Sequence, residues 1–363
     1  MITNNFAFKS KESGKVIEKT DNYMIVKYKS GASDFIDLRD NVKKNSNAGF
    51  YTTVKLDTNF KVGQTFKDNE ILAYDKSFFS NQIGGNLAYN AGVLTKVAII
   101  NTDEGFEDSA IVTEWLSHAL SSPVTVLKEV NLAKNTNVLK MLKKGDSVQE
   151  GDDIMIFQNS YDEEDVNMLL KSLSDDLDEI TDLGKIPLKS KITGVIKDIK
   201  VYRTCEKDEL SPSLKKIVNS IEKESADISS IAKKNGVDYV NGLNPTYKLE
   251  QSGKVKNLED SVKIEFYLQY EDTFSIGDKL VYYTAVKGVD KDIIKTGLEP
   301  YTNREPDEPI DSFVPLGGIS ARMVTSIENV VACNKVFIEL DKCIKKKVGI
   351  KNKTIREKVS NKK

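Results

Sequence analysis

A short turn-and-strand pattern recurs along the chain and constrains its fold more than any other feature. In each copy a glycine precedes a polar residue and a strand-like run. The copies are Val62-Gly63-Gln64-Thr65-Phe66, Lys144-Gly145-Asp146-Ser147-Val148 and Ile276-Gly277-Asp278-Lys279-Leu280, the last of which then diverges. A glycine beside a polar residue favours a tight turn before a strand. The repetition predicts β-barrel or barrel-sandwich modules, and unrelated hairpins with ordinary turn chemistry are the alternative.

The rest of the chain predicts further strands and a few helices, so the expected fold class is a mixed, β-rich α+β fold. Predicted strands lie at 14–17, 23–28, 35–38, 94–100, 192–202 and 262–268. Predicted helices lie at 109–120, 162–182, 212–234 and 317–330. The helix at 212–234 has the clearest limits, because Ser211 can cap it, Pro212 suits its first position and Asn235-Gly236 ends it.

Composition excludes several classes of protein. The three cysteines, Cys205, Cys333 and Cys343, are too few and too widely spaced for a disulfide framework or a zinc knuckle. The single His118 cannot anchor a histidine-rich metal site. The first residues lack a signal-peptide core, and no apolar run approaches the ~20 residues that span a bilayer. The reducing cytosol is the simplest compartment for such a chain.

Three short segments carry residues suited to phosphate or metal chemistry. Glu107 and Asp108 are adjacent carboxylates where a loop is predicted to become a helix, and simple stabilisation of the helix start is the alternative. Lys279 and Lys287, eight residues apart, can converge on phosphates, or they are solvated surface charges. Arg322 follows a Gly-Gly turn and can bind phosphate with two parallel hydrogen bonds, or it forms an ordinary ion pair.

In their joint order these segments resemble three motifs of the β subunit of multisubunit DNA-directed RNA polymerases. Residues 105–111, Gly-Phe-Glu-Asp-Ser-Ala-Ile, resemble the family's Asn-Phe-Glu-Asp-(Ser/Ala)-Ile block. Gly277-Asp278-Lys279 and Lys287-Gly288 resemble its Gly-Asp-Lys and Asn-Lys-Gly elements, with the same lysine spacing. Residues 315–323 resemble its Pro-Leu-Gly-Val-Pro-Ser-Arg-Met block. The resemblance covers roughly residues 14–330.

The resemblance implies a domain plan. A double-psi β-barrel would be assembled from two stretches, 49–120 and 256–335. A wall and flap insertion would occupy 121–255. A strand-rich segment, 1–48, would precede the barrel, and a basic tail, 336–363, would follow it. The chain would then correspond to the middle and late part of β, as in a split β subunit encoded by a large bacteriophage.

The resemblance also implies nucleotidyl transfer with Mg²⁺ as cofactor. Three aspartates of a β′-like partner would hold the principal Mg²⁺, so no direct metal ligand is expected here. Asp108, with Glu107 beside it, would lie near a second Mg²⁺. Lys279 and Lys287 would contact the RNA 3′ end, and Lys287 and Arg322 would bind the phosphates of the nucleotide.

Implied partners are β′-like and N-terminal β-like subunits, template DNA and RNA. The acidic helix at 162–182 would bind a promoter-specificity factor, or its apolar stripe packs on its own domain. The implied location is the cytoplasm of an infected bacterial cell, with the virion as an alternative and no membrane association.

The sequence departs from the family between the two lysines. Residues 281–286 replace Ala-Gly-Arg-His-Gly-Asn, which removes an arginine and a histidine, and Ser320-Ala321 replaces Pro-Ser. Two other interpretations therefore stay open. One is a non-catalytic assembly or binding module built from barrel-sandwich domains, and the other is a degenerate polymerase piece kept for assembly.

Overall fold

The fold is mixed and β-rich, as the sequence predicts. A computed structural model describes residues 6–45, 50–81, 87–90, 92–103, 105, 107–158, 184–237, 246–248, 261–282, 286–320, 325–350, 354 and 356. The strands in the first third of the chain are β1 (Ala7–Lys9), β2 (Gly14–Lys19), β3 (Tyr23–Tyr28), β4 (Ser33–Asp37), β5 (Asn41–Asn45), β6 (Phe50–Val54), β7 (Leu56–Asp57), β8 (Thr65–Phe66), β9 (Ile71–Asp75), β10 (Phe79–Asn81), β11 (Leu87–Tyr89), β12 (Val97–Ile99) and β13 (Ser109–Thr113). The later strands are β14 (Ser122–Ala133), β15 (Asn137–Met141), β16 (Ser147–Val148), β17 (Asp153–Gln158), β18 (Lys185–Lys189), β19 (Gly194–Arg203), β20 (Thr246–Lys248), β21 (Ser261–Asp272), β22 (Lys279–Tyr282), β23 (Val286–Ile294) and β24 (Ser312–Val314).

Helices are fewer and stand between or after the strands. They are α1 (Glu114–Ala119), α2 (Pro212–Lys234), α3 (Leu316–Ser320) and α4 (Thr325–Val348), with one 3-10 turn at Lys207–Glu209. Among the described residues, no helix has both the length and the apolar character needed to cross a membrane.

The chain divides into two compact units, each made of two separated stretches. The first unit contains residues 1–76 and 123–270, and the second contains 77–122 and 271–363. The sequence-based boundaries at 48/49, 120/121, 255/256 and 335/336 differ from these limits. The predicted barrel stretch 49–120 is shared between the units, and residues 336–348 of the predicted tail continue α4.

The described residues of the first unit form four sheets and two apolar cores. The strand orders are β1-β9-β7, β4-β3-β2-β8, β15-β17-β18 and β16-β19-β21-β14-β6-β5, with β20 beside β19. One core lies around Val16, Met24 and Val26. The other lies around Ile154, Ile196 and further apolar residues of the β19–β21 region.

Helix α2 confirms the sequence-based limits. The hydroxyl of Ser211 accepts a hydrogen bond from the N–H of Leu214, and Pro212 stands at the first helical position. At the other end Gly236 has φ 72°, a left-handed conformation that closes a helix at low cost. Leu214 and Val218 are fully buried in the core around Ile154 and Ile196, so the apolar face of this helix is covered.

The second unit is built on a five-stranded mixed sheet in the order β12-β24-β13-β23-β22. The central strand, β13, runs parallel to β23 and antiparallel to β24. A small apolar core of Val286, Val314, Ile319 and Ile327 lies against it. Three of its four strand pairs join segments about 180 to 215 residues apart in the chain, and only β22 and β23 are neighbours in sequence.

The predicted helix at 109–120 is wrong in its first half. Residues 109–113 form strand β13, and helix α1 begins only at Glu114, capped by the side chain of Thr113. All five residues of β13 are buried. A strand covered on both faces shows a continuous apolar run, which periodicity cannot distinguish from a buried helix.

Two predicted helices fall wholly or partly outside the described residues. The acidic segment at 162–182 lies entirely outside them. The predicted helix at 317–330 corresponds to α3 and the start of α4, with residues 321–324 between them outside the described part.

Candidate functional site

The three copies of the glycine turn share one geometry. In each, the glycine has a left-handed φ that other residues rarely adopt; the values are 86° at Gly63, 94° at Gly145 and 96° at Gly277. In each, the next side chain accepts a hydrogen bond from the backbone N–H three positions earlier; the acceptors are Gln64, Asp146 and Asp278. The turns are therefore structurally equivalent, although they do not join the two strands of a simple hairpin.

Each turn is held by one residue of a neighbouring strand. The backbone N–H of that residue donates a hydrogen bond to the turn, and its carbonyl oxygen accepts one from the turn. These residues are Val16, Ile196 and Asp290. For Asp290, the N–H donates to the carbonyl of Asp278 at 2.8 Å, and the carbonyl accepts from Gly277 at 2.9 Å. The equivalence gives a residue-by-residue alignment of two copies in the first unit with one in the second.

In all three copies, a glycine two positions before this turn-holding residue lets another strand approach closely. These glycines are Gly14, Gly194 and Gly288. A Cβ on Gly288 would lie 2.8 Å from the carbonyl oxygen of Ser109, closer than real Cβ atoms come to other atoms. The glycine therefore allows the close approach of β13 to β23.

Both candidate lysines occupy positions that hold small hydroxyl residues in the other two copies. Lys279 aligns with Thr65 and Ser147. Each of the three follows the polar residue of its turn and pairs, on the neighbouring strand, with the residue that comes directly after the strand glycine. Lys287 precedes Gly288 and aligns with Ser13 and Thr193. Only the copy in the second unit places cations at these positions.

The two lysines lie on one exposed face of the β22–β23 pair. Lys279 is opposite Val289, and Val281 is opposite Lys287. Directly opposite residues share a face, and so do residues two apart on a strand, so Lys279 and Lys287 are diagonal neighbours. Both are exposed, and within the described residues neither makes an ion pair or a side-chain hydrogen bond. Among the described residues, this face therefore presents two positive charges that no carboxylate pairs with.

Asp108 lies at the start of β13, next to that face. Its carbonyl oxygen accepts a hydrogen bond of 2.8 Å from the N–H of Val289, the residue opposite Lys279. Asp108 has φ 53°, in the left-handed region that Asp tolerates better than most residues. Glu107 and Asp108 are exposed. They do not cap a helix, since Thr113 does so; they belong to the turn that leads into a strand.

The third sequence segment lies against the loop that precedes β13. Gly105 is buried, and a Cβ on it would lie 3.7 Å from Cγ of Pro315. The N–H of Leu316 donates to Oδ1 of Asn101 at 3.1 Å, which ties α3 to the loop before Gly105. Arg322, the arginine predicted in this segment, lies outside the described residues, as does Phe106.

Asp290 is a residue that motif-based reasoning missed. Its side chain is 1% exposed, and within the described part of the chain neither carboxyl oxygen makes a hydrogen bond. Burial, with the nearby carboxylates of Asp292 and Asp278, raises the pKa of the Asp290 carboxyl to about 7. The N–H of Val112 lies near the carboxyl group without the geometry of a hydrogen bond, and it offsets only part of that rise in pKa.

Tyr282, on strand β22, is linked through Ser312 to strand β13. Its hydroxyl contacts Oγ of Ser312, and Ser312 donates to the carbonyl of Ile111 at 2.8 Å. Since the Ser312 proton is used in that bond, the tyrosine is the donor to Ser312. Burial raises the pKa of Tyr282 to about 12, so it stays protonated. The residue lies in the segment where the sequence departs from the polymerase motif.

The arrangement suits binding of a polyanion more than direct binding of a metal. Among the residues that the structure describes, no group of three or more His, Cys, Asp or Glu side chains could hold a metal ion. Two unpaired lysines beside an exposed acidic pair can neutralise phosphate charge and leave carboxylates near any cation that a phosphate ligand brings. No family model matches the chain, and no curated protein is significantly similar to it.

Proposed function

We propose that this chain is a subunit of a DNA-directed RNA polymerase and forms part of the active centre for RNA synthesis on a DNA template. The observation that carries the proposal is the convergence of three separated segments on one sheet. Asp108, Lys279 and Lys287 are joined through Val289 and its strand partners. The segment containing Pro315 lies against Gly105.

Departures from the internal repeat give independent support. Lys279 and Lys287 replace hydroxyl residues in a copy whose backbone hydrogen bonds are unchanged. Exposed, unpaired lysines add little to the stability of a folded unit, so a requirement for binding explains them better than folding does. Phosphates of RNA and of a nucleoside triphosphate are the anions that fit the proposal.

In the proposed reaction the RNA 3′-hydroxyl attacks the α-phosphorus of the nucleotide and pyrophosphate leaves. Lys279 and Lys287 offset repulsion between RNA and triphosphate, and Arg322 binds the nucleotide phosphates. Glu107 and Asp108 would lie near a second Mg²⁺, and a partner subunit would supply the ligands of the first; these ions would stabilise the attacking and leaving oxygens. A double-psi barrel built from two stretches is part of this proposal, and a second unit made of 77–122 and 271–363 is compatible with it.

The test is primer extension by the assembly that co-purifies with the tagged full chain from the cells that produce it. Lys279→Ser and Lys287→Thr install the residues of the equivalent turns. We expect each to slow nucleotide addition by about 100-fold, because an electrostatic contact to the reacting phosphates is lost.

Lys295→Ser is the matched control, since Lys295 is an exposed lysine of the same unit outside the site. It should leave the rate unchanged. An assembly without RNA synthesis, or variants that extend RNA at the wild-type rate, would reject the proposal in favour of a non-catalytic binding module.

A further inference from the structure

Helix α4 carries a continuous stripe of exposed apolar side chains. Its members and their exposed fractions are Val336 65%, Phe337 64%, Leu340 51%, Ile344 52% and Val348 65%. The spacings of three, four and seven residues place them on one face over more than three turns. In the first turn of the helix Ile327 is buried in the core of the second unit, while the stripe, which begins nine residues later, is uncovered within the described part of the chain.

Such a stripe is unusual for a surface helix. A single exposed Leu needs no explanation, but a contiguous apolar patch marks an interaction site. Helix α2 of the first unit shows the ordinary case, because its apolar residues Leu214 and Val218 are fully buried. The two helices have nearly equal lengths, and only α4 leaves its apolar face open.

Unpaired charge at the carboxyl end of the stripe is positive. Lys345 pairs with Asp341 at 2.6 Å, and Lys342 pairs with Glu339 at 3.2 Å. Lys346 and Lys347 are exposed and have no such partner among the described residues. The sequence after the helix, residues 351–363, adds six Lys or Arg and one Glu, and of these Arg356 pairs with Glu299 and Asp311.

We propose that the stripe of α4 docks an amphipathic helix of a partner protein whose apolar face is flanked by Asp and Glu. Phe337, Leu340 and Ile344 would be the anchors, in the manner of a helix that presents residues at three- and four-residue spacing. Lys346 and Lys347 would pair with the acidic flank and set the direction of binding. Residues 162–182 of this chain also hold nine Asp or Glu against one Lys, so a second copy can bring acid as well, and stripe-dependent dimerisation is the outcome that would identify it. An aliphatic stripe offers few rings on which nucleic-acid bases stack.

The test measures binding of the full chain to a synthetic three-heptad peptide with Leu on one face and Glu flanking it. A matched peptide carries Lys in place of Glu. We expect at least tenfold tighter binding of the acidic peptide. Cys333, exposed and one turn before Phe337, is a natural reporter: in a Cys343→Ser background the bound acidic peptide should slow its modification by maleimide.

Phe337→Glu and Ile344→Glu should each weaken binding of the acidic peptide at least tenfold, and Lys346→Glu with Lys347→Glu should reverse the preference between the peptides. Leu298→Glu is the control, because Leu298 is a 73% exposed apolar residue of the same unit outside the stripe. Equal binding of both peptides, or no binding, would overturn the proposal. So would stripe-dependent dimerisation, or stripe-dependent binding only to phosphatidylglycerol vesicles or to single-stranded DNA.

Discussion

The turn at residues 143–146 and the turn at 275–278 have the same backbone but opposite surroundings. The first is held by Ile196, which is fully buried in an apolar core. The second is held by Asp290, whose carboxyl group is equally buried and has no hydrogen bond within the described residues. The third copy is held by Val16, which is apolar and fully buried like Ile196. The same backbone geometry thus supports apolar packing in the first unit. In the second unit it carries charged residues that packing does not require.

The turn at 275–278 departs from the other two copies at three positions. An unpartnered buried carboxyl group costs several kcal/mol if it is ionised. The positions of Lys279 and Lys287 in the same copy also depart from the pattern of the first unit. Three departures within twelve residues of an otherwise conserved geometry indicate that this copy serves binding or chemistry as well as folding.

The largest expected effect comes from moving the carboxylate into the first unit. Ile196→Asp should lower the free energy of unfolding of that unit by more than about 4 kcal/mol at pH 8, because it removes apolar packing and buries a charge. Amide hydrogen exchange of β19 and β21 measures the change. A loss below about 1 kcal/mol would show that the two environments tolerate a buried carboxyl group equally well.

The reverse substitution, Asp290→Val, should stabilise the second unit by about 2–4 kcal/mol at pH 8. The folded pKa of about 7 exceeds the ordinary value of 3.8, so the folded protein keeps a proton that the unfolded chain loses between these values. Stability of the parent protein should therefore fall as the pH rises from about 4 to about 7 and then level off.

Asp290→Val should remove that slope, and its advantage should shrink towards pH 4. Denaturant titrations followed by fluorescence of Trp115, the one tryptophan of the chain, report on the second unit. A parent protein with no slope in this range would mean that Asp290 is ionised and satisfied in the folded state.

Gly288→Ala should cost about 1–3 kcal/mol, because its Cβ would lie 2.8 Å from the carbonyl oxygen of Ser109 and would push β13 away. Gly14→Ala and Gly194→Ala should cost at least as much, since their Cβ atoms would lie 2.3 and 2.4 Å from backbone oxygens. Gly317→Ala, with no atom within 4 Å, is the neutral control. Equal stability of all four variants would refute the shared strand approach.

The smallest effect on stability is expected at the lysines. Lys279→Ser and Lys287→Thr should change the free energy of unfolding by less than about 0.5 kcal/mol, because both side chains are exposed and unpaired within the described residues. The same denaturant titrations measure this. A larger loss would assign the lysines to folding and would remove the argument that they serve binding.

Local sequence patterns predicted several elements well. Helix α2 was predictable because its cap, its proline and its terminal glycine act within a few residues. The glycine turns were predictable for the same reason. The β13–α1 boundary was not, because a strand buried on both faces and a buried helix both show apolar runs, and the neighbours that decide between them are distant in sequence.

The candidate site was predictable only in part. Glu107, Asp108, Lys279 and Lys287 were singled out from their motifs, and Arg322 stays a prediction outside the described residues. Asp290 escaped notice because an acid in a lysine-rich strand looks like a solvated charge. The alternation of Val286, Gly288 and Asp290 on one face was the available signal, but it gains meaning only beside Val16 and Ile196.

The sequence by itself determined the glycine turns, the caps of α2, several strand-forming segments and the residue types suited to phosphate chemistry, since these depend on interactions between near neighbours. Only the tertiary structure decided that β13, β23 and β24 pair in one sheet, that Lys279 and Lys287 share an exposed face, and that the Asp290 carboxyl is buried. The reason is physical: strand pairing and burial are set by contacts between segments far apart in the chain, whose order along the sheet no local pattern encodes.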